Sequence, residues 1–195
     1  YFLTALHCGV SASAANMTQW KFYFRYESPN CTNPSIAGTL DDYFITGCVK
    51  KADSGDGGGD SGSDFLLVQL GTAANEAATI TSLKSANFNT YWNGWNANTT
   101  ATAGGAGIHH PAGDIKKIST FTGNTISTGW NGNGLPSHWR MSWTSNSNGH
   151  GVTEGGSSGS PLFNLSQGYI VGTLTGGSSY CSTPTSPDFY GKMSY

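Results

Sequence analysis

Charge is what this chain has least of. Only 10% of its 195 residues are Asp, Glu, Lys or Arg, the formal net charge is −2, and the nine Lys and Arg residues are scattered. No basic patch offers a footprint for nucleic acid, and no basic amphipathic stretch suits a membrane surface. Long apolar runs are missing as well, none approaching the roughly 20 residues that span a bilayer. The four cysteines (Cys8, Cys31, Cys48 and Cys181) show neither a CxxC pair nor a Cys/His spacing, so a zinc site is a poor reading. Structural disulfides formed outside the cell are the better one, some with partners upstream of Tyr1. No signal peptide is present, and Tyr1-Phe-Leu-Thr-Ala-Leu-His7-Cys8 reads as the inside of a strand, so a fragment or processed product is expected.

Glycine is abundant instead. The 28 glycines are about twice the usual usage of roughly 7%. Together with many Ser, Thr and Asn residues they favour short strands and turns over long helices. Residues 18–28 alternate aromatic with polar and predict a half-buried strand. Further strands are expected at Ile45–Val49, Phe65–Leu70, Tyr91–Trp95, Gly107–His110, Trp139–Trp143, Leu162–Phe163, Tyr169–Leu174 and Phe189–Met193, with a weak helix at Ala73–Leu83. The Gly/Asp/Ser stretch Asp53–Ser63 lacks the one-three-five acid ladder of an EF-hand and predicts a flexible, solvated loop. The pattern is all-β, and no linker separates a second domain from a single 1–195 unit.

Chemistry concentrates in Gly155-Gly156-Ser157-Ser158-Gly159-Ser160-Pro161. Small residues around a serine permit a tight turn that presents the hydroxyl and gathers N–H groups toward one point. By itself the stretch reads equally well as a plain surface loop. Two other segments shift the balance. Thr4-Ala5-Leu6-His7-Cys8 resembles the segment carrying the general base of chymotrypsin-fold proteases, and Ser63-Asp64-Phe65-Leu66-Leu67 resembles their aspartate-bearing strand. The order His7, Asp64, Ser158, with gaps of 57 and 94 residues, is the order of that fold and not of subtilisins or α/β-hydrolases.

A closer resemblance is to bacterial lysyl endopeptidases. It rests on Gly151-Val-Thr-Glu-Gly-Gly-Ser-Ser-Gly-Ser-Pro161, Tyr91-Trp-Asn-Gly-Trp95, Ile108-His-His-Pro111 with Lys117-Ile-Ser119, Gly176-Gly177 followed by Cys181, and Asp188-Phe-Tyr-Gly-Lys192. The resemblance implies a chymotrypsin-like double six-stranded antiparallel β-barrel lacking its N-terminal segment in this chain. Residues 1–100 would supply the barrel with His7 and Asp64, and 101–195 the barrel with Ser158 and the S1 pocket. It implies a secreted bacterial serine endopeptidase, monomeric and free of metal or other cofactor, acting on protein or peptide substrates. Ser158 would be the nucleophile, His7 the base and Asp64 its partner, with the amides of Gly156 and Ser158 as oxyanion hole. Substrate binding falls to Asp188, Trp130 and Gly176, the buried Asp188 carboxylate selecting a cationic residue, lysine above all. An enzyme accepting arginine equally and a silent binding module are the competing readings.

Two departures stand out. Ser157 replaces the aspartate that in trypsin-type enzymes receives a new N-terminus, and Thr175 replaces a histidine that stacks on the tryptophan in the best-matching relatives. His109 and His110 lack carboxylate or cysteine neighbours for a metal, so structural roles are expected. His138 and His150 read as loop or strand-end residues. A Cys31–Cys48 bridge is open.

Overall fold

The computed structural model describes residues 1–30 and 42–195. Cys31, and with it the proposed bridge to Cys48, lies outside the described residues. The first half carries a three-stranded antiparallel sheet of β1 (Phe2–Ala5), β5 (Phe65–Leu70) and β4 (Cys48–Asp53), in the order β1-β5-β4. A two-stranded sheet joins β2 (Lys21–Tyr23) to β3 (Phe44–Thr46). Alternation in Phe65-Leu-Leu-Val-Gln-Leu70 turns Leu66, Val68 and Leu70 inward, at 0%, 0% and 9% exposure. They pack with Leu6, Met17, Ile45, Cys48 and Leu83 into one core. Each such aliphatic side chain contributes about 1.5–3 kcal/mol by leaving water. A one-turn helix, α1 (Ala14–Met17), is opened by a Ser13/Asn16 capping box, and α2 spans Glu76–Lys84.

The second half is one seven-stranded antiparallel sheet in the order β7-β6-β10-β11-β12-β9-β8. Its strands are β6 (Ala103–His109), β7 (Lys117–Asn124), β8 (Ile126–Thr128), β9 (His138–Ser142), β10 (Pro161–Asn164), β11 (Ile170–Gly177) and β12 (Pro187–Lys192). Phe121, Trp139, Met141, Trp143, Leu162, Val171, Leu174 and Tyr190 form a second core.

Several expectations change. The strand foreseen over 18–28 shrinks to β2, because Thr18 caps α1 and Arg25 adopts a left-handed φ of 59°. Gly47, at φ 84°, divides the Ile45–Val49 segment between β3 and β4. Tyr91–Trp95 forms no strand; Trp95 makes a lone bridge to Ile170, and Tyr91, Trp92 and Trp95 are exposed. The Asp53–Ser63 stretch is not a solvated loop throughout, for Asp56 and Ser63 are buried within it. Among the described residues Cys8, Cys48 and Cys181 are free thiols, and burial pushes the Cys48 thiol up. No helix among the described residues is long and apolar enough to cross a membrane.

Candidate active site

His7 occupies a single 3-10 turn, Leu6–Cys8, at the end of β1. Asp64 stands one residue before β5, which pairs with β1 so that Ala5 faces Phe65. Three bonds tie the two segments together. Leu6 N–H donates to the Asp64 carbonyl at 2.7 Å, His7 N–H to Asp64 Oδ1 at 2.8 Å, and His7 Nδ1–H to Asp64 Oδ2 at 2.6 Å. An ionised carboxylate only accepts, so Nδ1 carries the proton and Nε2 of the neutral ring is left as a base. Asp64 is fully buried while the His7 side chain is 33% exposed. The hydrogen bond to Asp64 does most to lift the imidazole above its ordinary 6.5, Cys8 adds to it, and burial opposes it.

Ser158 stands in the turn between β9 and β10. Gly156 at φ 92° and Gly159 at φ 78° supply backbone conformations that a side chain disfavours. Within the turn, Ser157 N–H donates to Glu154 O and Ser160 N–H to Ser157 O, both at 3.0 Å, while Gly159 N–H donates to Leu174 O of β11 at 2.8 Å. Glu154 thus enters through its backbone. The amides of Gly156 and Ser158 have no acceptor among the described residues. Gly159 brings this turn against the strand that leads to His7, since a Cβ there would lie 2.1 Å from Thr4 Oγ1 and 2.7 Å from Ala5 N. Ser158 is half-buried, and its hydroxyl makes no hydrogen bond among the described residues, His7 included. Such bonds often tighten only when substrate is bound.

The turn has a second anchor that the sequence did not reveal. His109, 2% exposed at the end of β6, has Nδ1 2.9 Å from Ser157 Oγ and Nε2 3.0 Å from Ser119 Oγ. Ser119 Oγ donates to Val152 O and Ser157 Oγ accepts from Glu154 N–H, both at 3.3 Å. These partners require a neutral ring protonated at Nε2, accepting from Ser157 at Nδ1. Burial, with repulsion from His110, lowers the His109 imidazole to about 4.

Asp188 lies on β12, opposite Gly177 of β11, with no exposed surface. Its Oδ2 accepts from Trp143 Nε1 at 2.6 Å, Thr153 Oγ1 at 2.6 Å and Ser179 Oγ at 2.7 Å, and its Oδ1 from Ser179 N–H at 3.2 Å. Hydrogen-bond donors hold this buried carboxylate, and no cation pairs with it among the described residues. Gly177 makes room for it, as a Cβ there would fall 2.0 Å from Oδ1.

Trp130 begins a 3-10 turn after β8. Its ring meets Phe189 edge-on at 5.4 Å, and a Cβ on Gly176 would come 3.0 Å from it. The imidazole beside Trp130 is that of His138, 6.1 Å away at 32°. His138 is a strand-end residue, the first of β9, with no exposed surface, bonded through Nδ1 to Ser137 Oγ at 2.8 Å and through Nε2 to Thr175 Oγ1 at 2.9 Å. Burial lowers its pKa to about 4, against the pull of Asp64 and Asp56. Thr175 therefore serves as the hydrogen-bond partner of a histidine supplied by a different strand.

Known proteins share this architecture. The thermostable serine protease AL20 from an extremophilic microorganism superposes with a TM-score of 0.57 at 15% identity, covering 97% of this chain and 77% of its own. The protease Anisep from Arthrobacter nicotinovorans gives 0.55 at 16% identity, covering 97% and 76%. The fold is that of chymotrypsin-like serine proteases. In sequence, the lysyl endopeptidase of Pseudomonas aeruginosa is 38% identical over 110 residues, which are 53% of this chain and 22% of that protein. The chain thus spans well under two thirds of that relative's length. The family described as "Lysyl endopeptidase, C-terminal domain" matches residues 1–191, from the first strand through the buried carboxylate of β12. With that match over nearly its whole length, the chain belongs to the lysyl endopeptidase family.

Proposed function

We propose that this chain carries the catalytic machinery of a secreted serine endopeptidase that hydrolyses peptide bonds after a cationic residue, with lysine preferred. The observation that carries the reading is a pair of amides, Gly156 and Ser158's own, without acceptors among the described residues, in a serine turn that abuts the His7 segment. Ser158 Oγ attacks the scissile carbonyl while His7 Nε2 takes its proton and later delivers it to the leaving amine. Asp64 holds the ring in the Nδ1–H tautomer and stabilises the imidazolium. The two amides receive the oxyanion, each donor being worth about 3 kcal/mol of barrier.

Asp188 supports the cationic preference. It is a buried carboxyl that lacks a cation among the described residues, so an ammonium group offers it the partner that a neutral side chain cannot. Trp130 and Gly176, in contact with each other, would wall the same cleft. The P. aeruginosa relative is named a lysyl endopeptidase, and lysine is taken from that name.

The test uses the full-length protein. A fluorophosphonate should label Ser158, Ser158→Ala should abolish labelling, and matched Lys, Arg and uncharged substrates should rank in that order. Absence of labelling would leave a binding module; equal rates for Lys and Arg would leave a trypsin-like enzyme.

A further inference from the structure

Asp64 reaches His7 from an unfavourable backbone position. Its φ is 54°, in the left-handed region that costs a non-glycine residue about 1–2 kcal/mol. A strained residue persists only where its surroundings over-determine it. Three of the ties on Asp64 come from the His7 segment, through Leu6 N–H, His7 N–H and His7 Nδ1–H. Asp64's own backbone N–H donates elsewhere, to Asp56 Oδ2 at 2.9 Å.

Asp56 is built for that task. Its side chain belongs to a residue only 7% exposed, and it has no cationic partner among the described residues. Oδ1 instead accepts from Ser54 Oγ at 2.6 Å and from Gly58 N–H at 3.1 Å. Burial pushes the carboxyl up, but the bonds from Ser54, Asp64, Gly58 and Gly59 outweigh it and hold the group below the usual carboxylate range. Gly62 leaves the space, because a Cβ there would lie 2.5 Å from Asp56 Oδ2. The same bonds fold residues 56–59 onto the site, where a Cβ on Gly58 would meet His7 Cβ at 2.9 Å and one on Gly59 would meet Asp64 Cβ at 3.3 Å.

We infer that Asp56 is a positioning residue of the catalytic centre: its buried carboxylate fixes the strained main chain of Asp64, and thereby the angle at which Asp64 grips His7. Asp56 touches no substrate and transfers no proton. The inference rests on the proposed protease reading for its kinetic consequence, but the His7–Asp64 bond itself can be observed without turnover.

The experiment is done on the full-length protein with a chromogenic lysyl amide, with rates normalised to fluorophosphonate-titrated sites. In parallel, the far-downfield proton resonance of His7 Nδ1–H is recorded. Asp56→Ala is expected to lower kcat about tenfold to a hundredfold with KM within about twofold, the signature of misplaced groups and not of lost binding. The resonance should broaden or move upfield. Asp56→Asn keeps one acceptor oxygen for Asp64 N–H but sets an amide NH2 against Gly58 N–H, donor against donor, so its loss should be smaller than that of Asp56→Ala. Should Asp56→Ala fail to fold, Gly62→Ala serves instead, since the added methyl displaces the carboxylate without removing it. Folded Asp56→Ala or Gly62→Ala protein with unchanged kcat and an unchanged resonance overturns the inference. An inert wild type would defeat the protease reading, while the resonance would still decide the role of Asp56.

Discussion

His109 Nδ1 lies 2.9 Å from the hydroxyl of Ser157, the residue immediately before the proposed nucleophile. Trypsin-type enzymes hold that position with an ionised aspartate and a freed N-terminus. Here a neutral, buried imidazole joins the turn to Ser119 of β7 and, through it, to Val152. The turn is therefore held by a chain of hydrogen bonds in which every proton has an assigned place.

Replacing that imidazole should disturb the turn more than the fold. His109→Ala strands the Ser157 and Ser119 hydroxyls in a buried space, and kcat for a lysyl amide should fall at least about tenfold with little change in KM. His109→Gln, which can both accept and donate, should recover part of the rate. Steady-state kinetics on the three proteins checks this.

Acid should loosen the molecule in a window set by His109 and His138. Both are lowered from 6.5 to about 4, so between those values the unfolded chain binds more protons than the folded one. Stability is then fully present above pH 6.5 and is lost as pH falls toward 4. Each imidazole sets the loss at no more than about 3.5 kcal/mol. Urea melts from pH 7 to 4 should show the decline, and His138→Gln should shallow it.

The rate profile falls toward acid as well, but from a shift of the opposite sign. The Asp64 bond raises the His7 imidazole above 6.5, and the ring must be neutral to act as a base. The acidic limb of kcat/KM should accordingly lie above the ordinary histidine range, with activity rising as pH is raised through it. Asp64→Asn favours the wrong tautomer and should reduce kcat by about 10⁴-fold. A pH–rate series on both proteins supplies the measurement.

Asp188→Asn should separate specificity from catalysis. It leaves an ammonium group without a countercharge in a buried site, a loss of about 3–5 kcal/mol, or roughly 10² to 10³-fold in kcat/KM for lysyl substrates. Fluorophosphonate labelling of Ser158 should change far less. Competition between lysyl and uncharged substrates gives the comparison.

Trp143→Phe tests how Asp188 is held. The substitution removes a donor at 2.6 Å from a carboxylate with no exposed surface. It should cost about 3 kcal/mol in chemical denaturation, combining the lost charge-assisted bond with the lost volume.

The parts of the fold visible in the sequence were those with a local signature. β5 was legible as the nearly continuous apolar run Phe65-Leu-Leu-Val-Gln-Leu70, and the segments around His7, Asp64, Ser158 and Asp188 stood out by resemblance to family motifs, their proposed roles being a separate matter. β7 was missed, since Lys117-Ile-Ser-Thr-Phe-Thr-Gly-Asn124 is mostly polar and only Ser119 and Phe121 are buried. Tyr91–Trp95 misled in the opposite sense, its aromatics imitating a strand while remaining outside both cores. The supporting residues were harder still. Asp56, His109 and His138 acquire their roles from neighbours between 8 and 48 positions away, and nothing within a short window distinguishes them from surface residues.

The contact at Gly159 has a bearing on how such a protein can change over time. Where a single methyl group would collide with the Thr4 side chain and the Ala5 amide, the seating of the Ser158 turn on the strand leading to His7 depends on a residue without a side chain. Under the proposed protease reading, side chains around the cleft can vary and redirect which peptides are cut while this one contact keeps the serine turn seated on its strand.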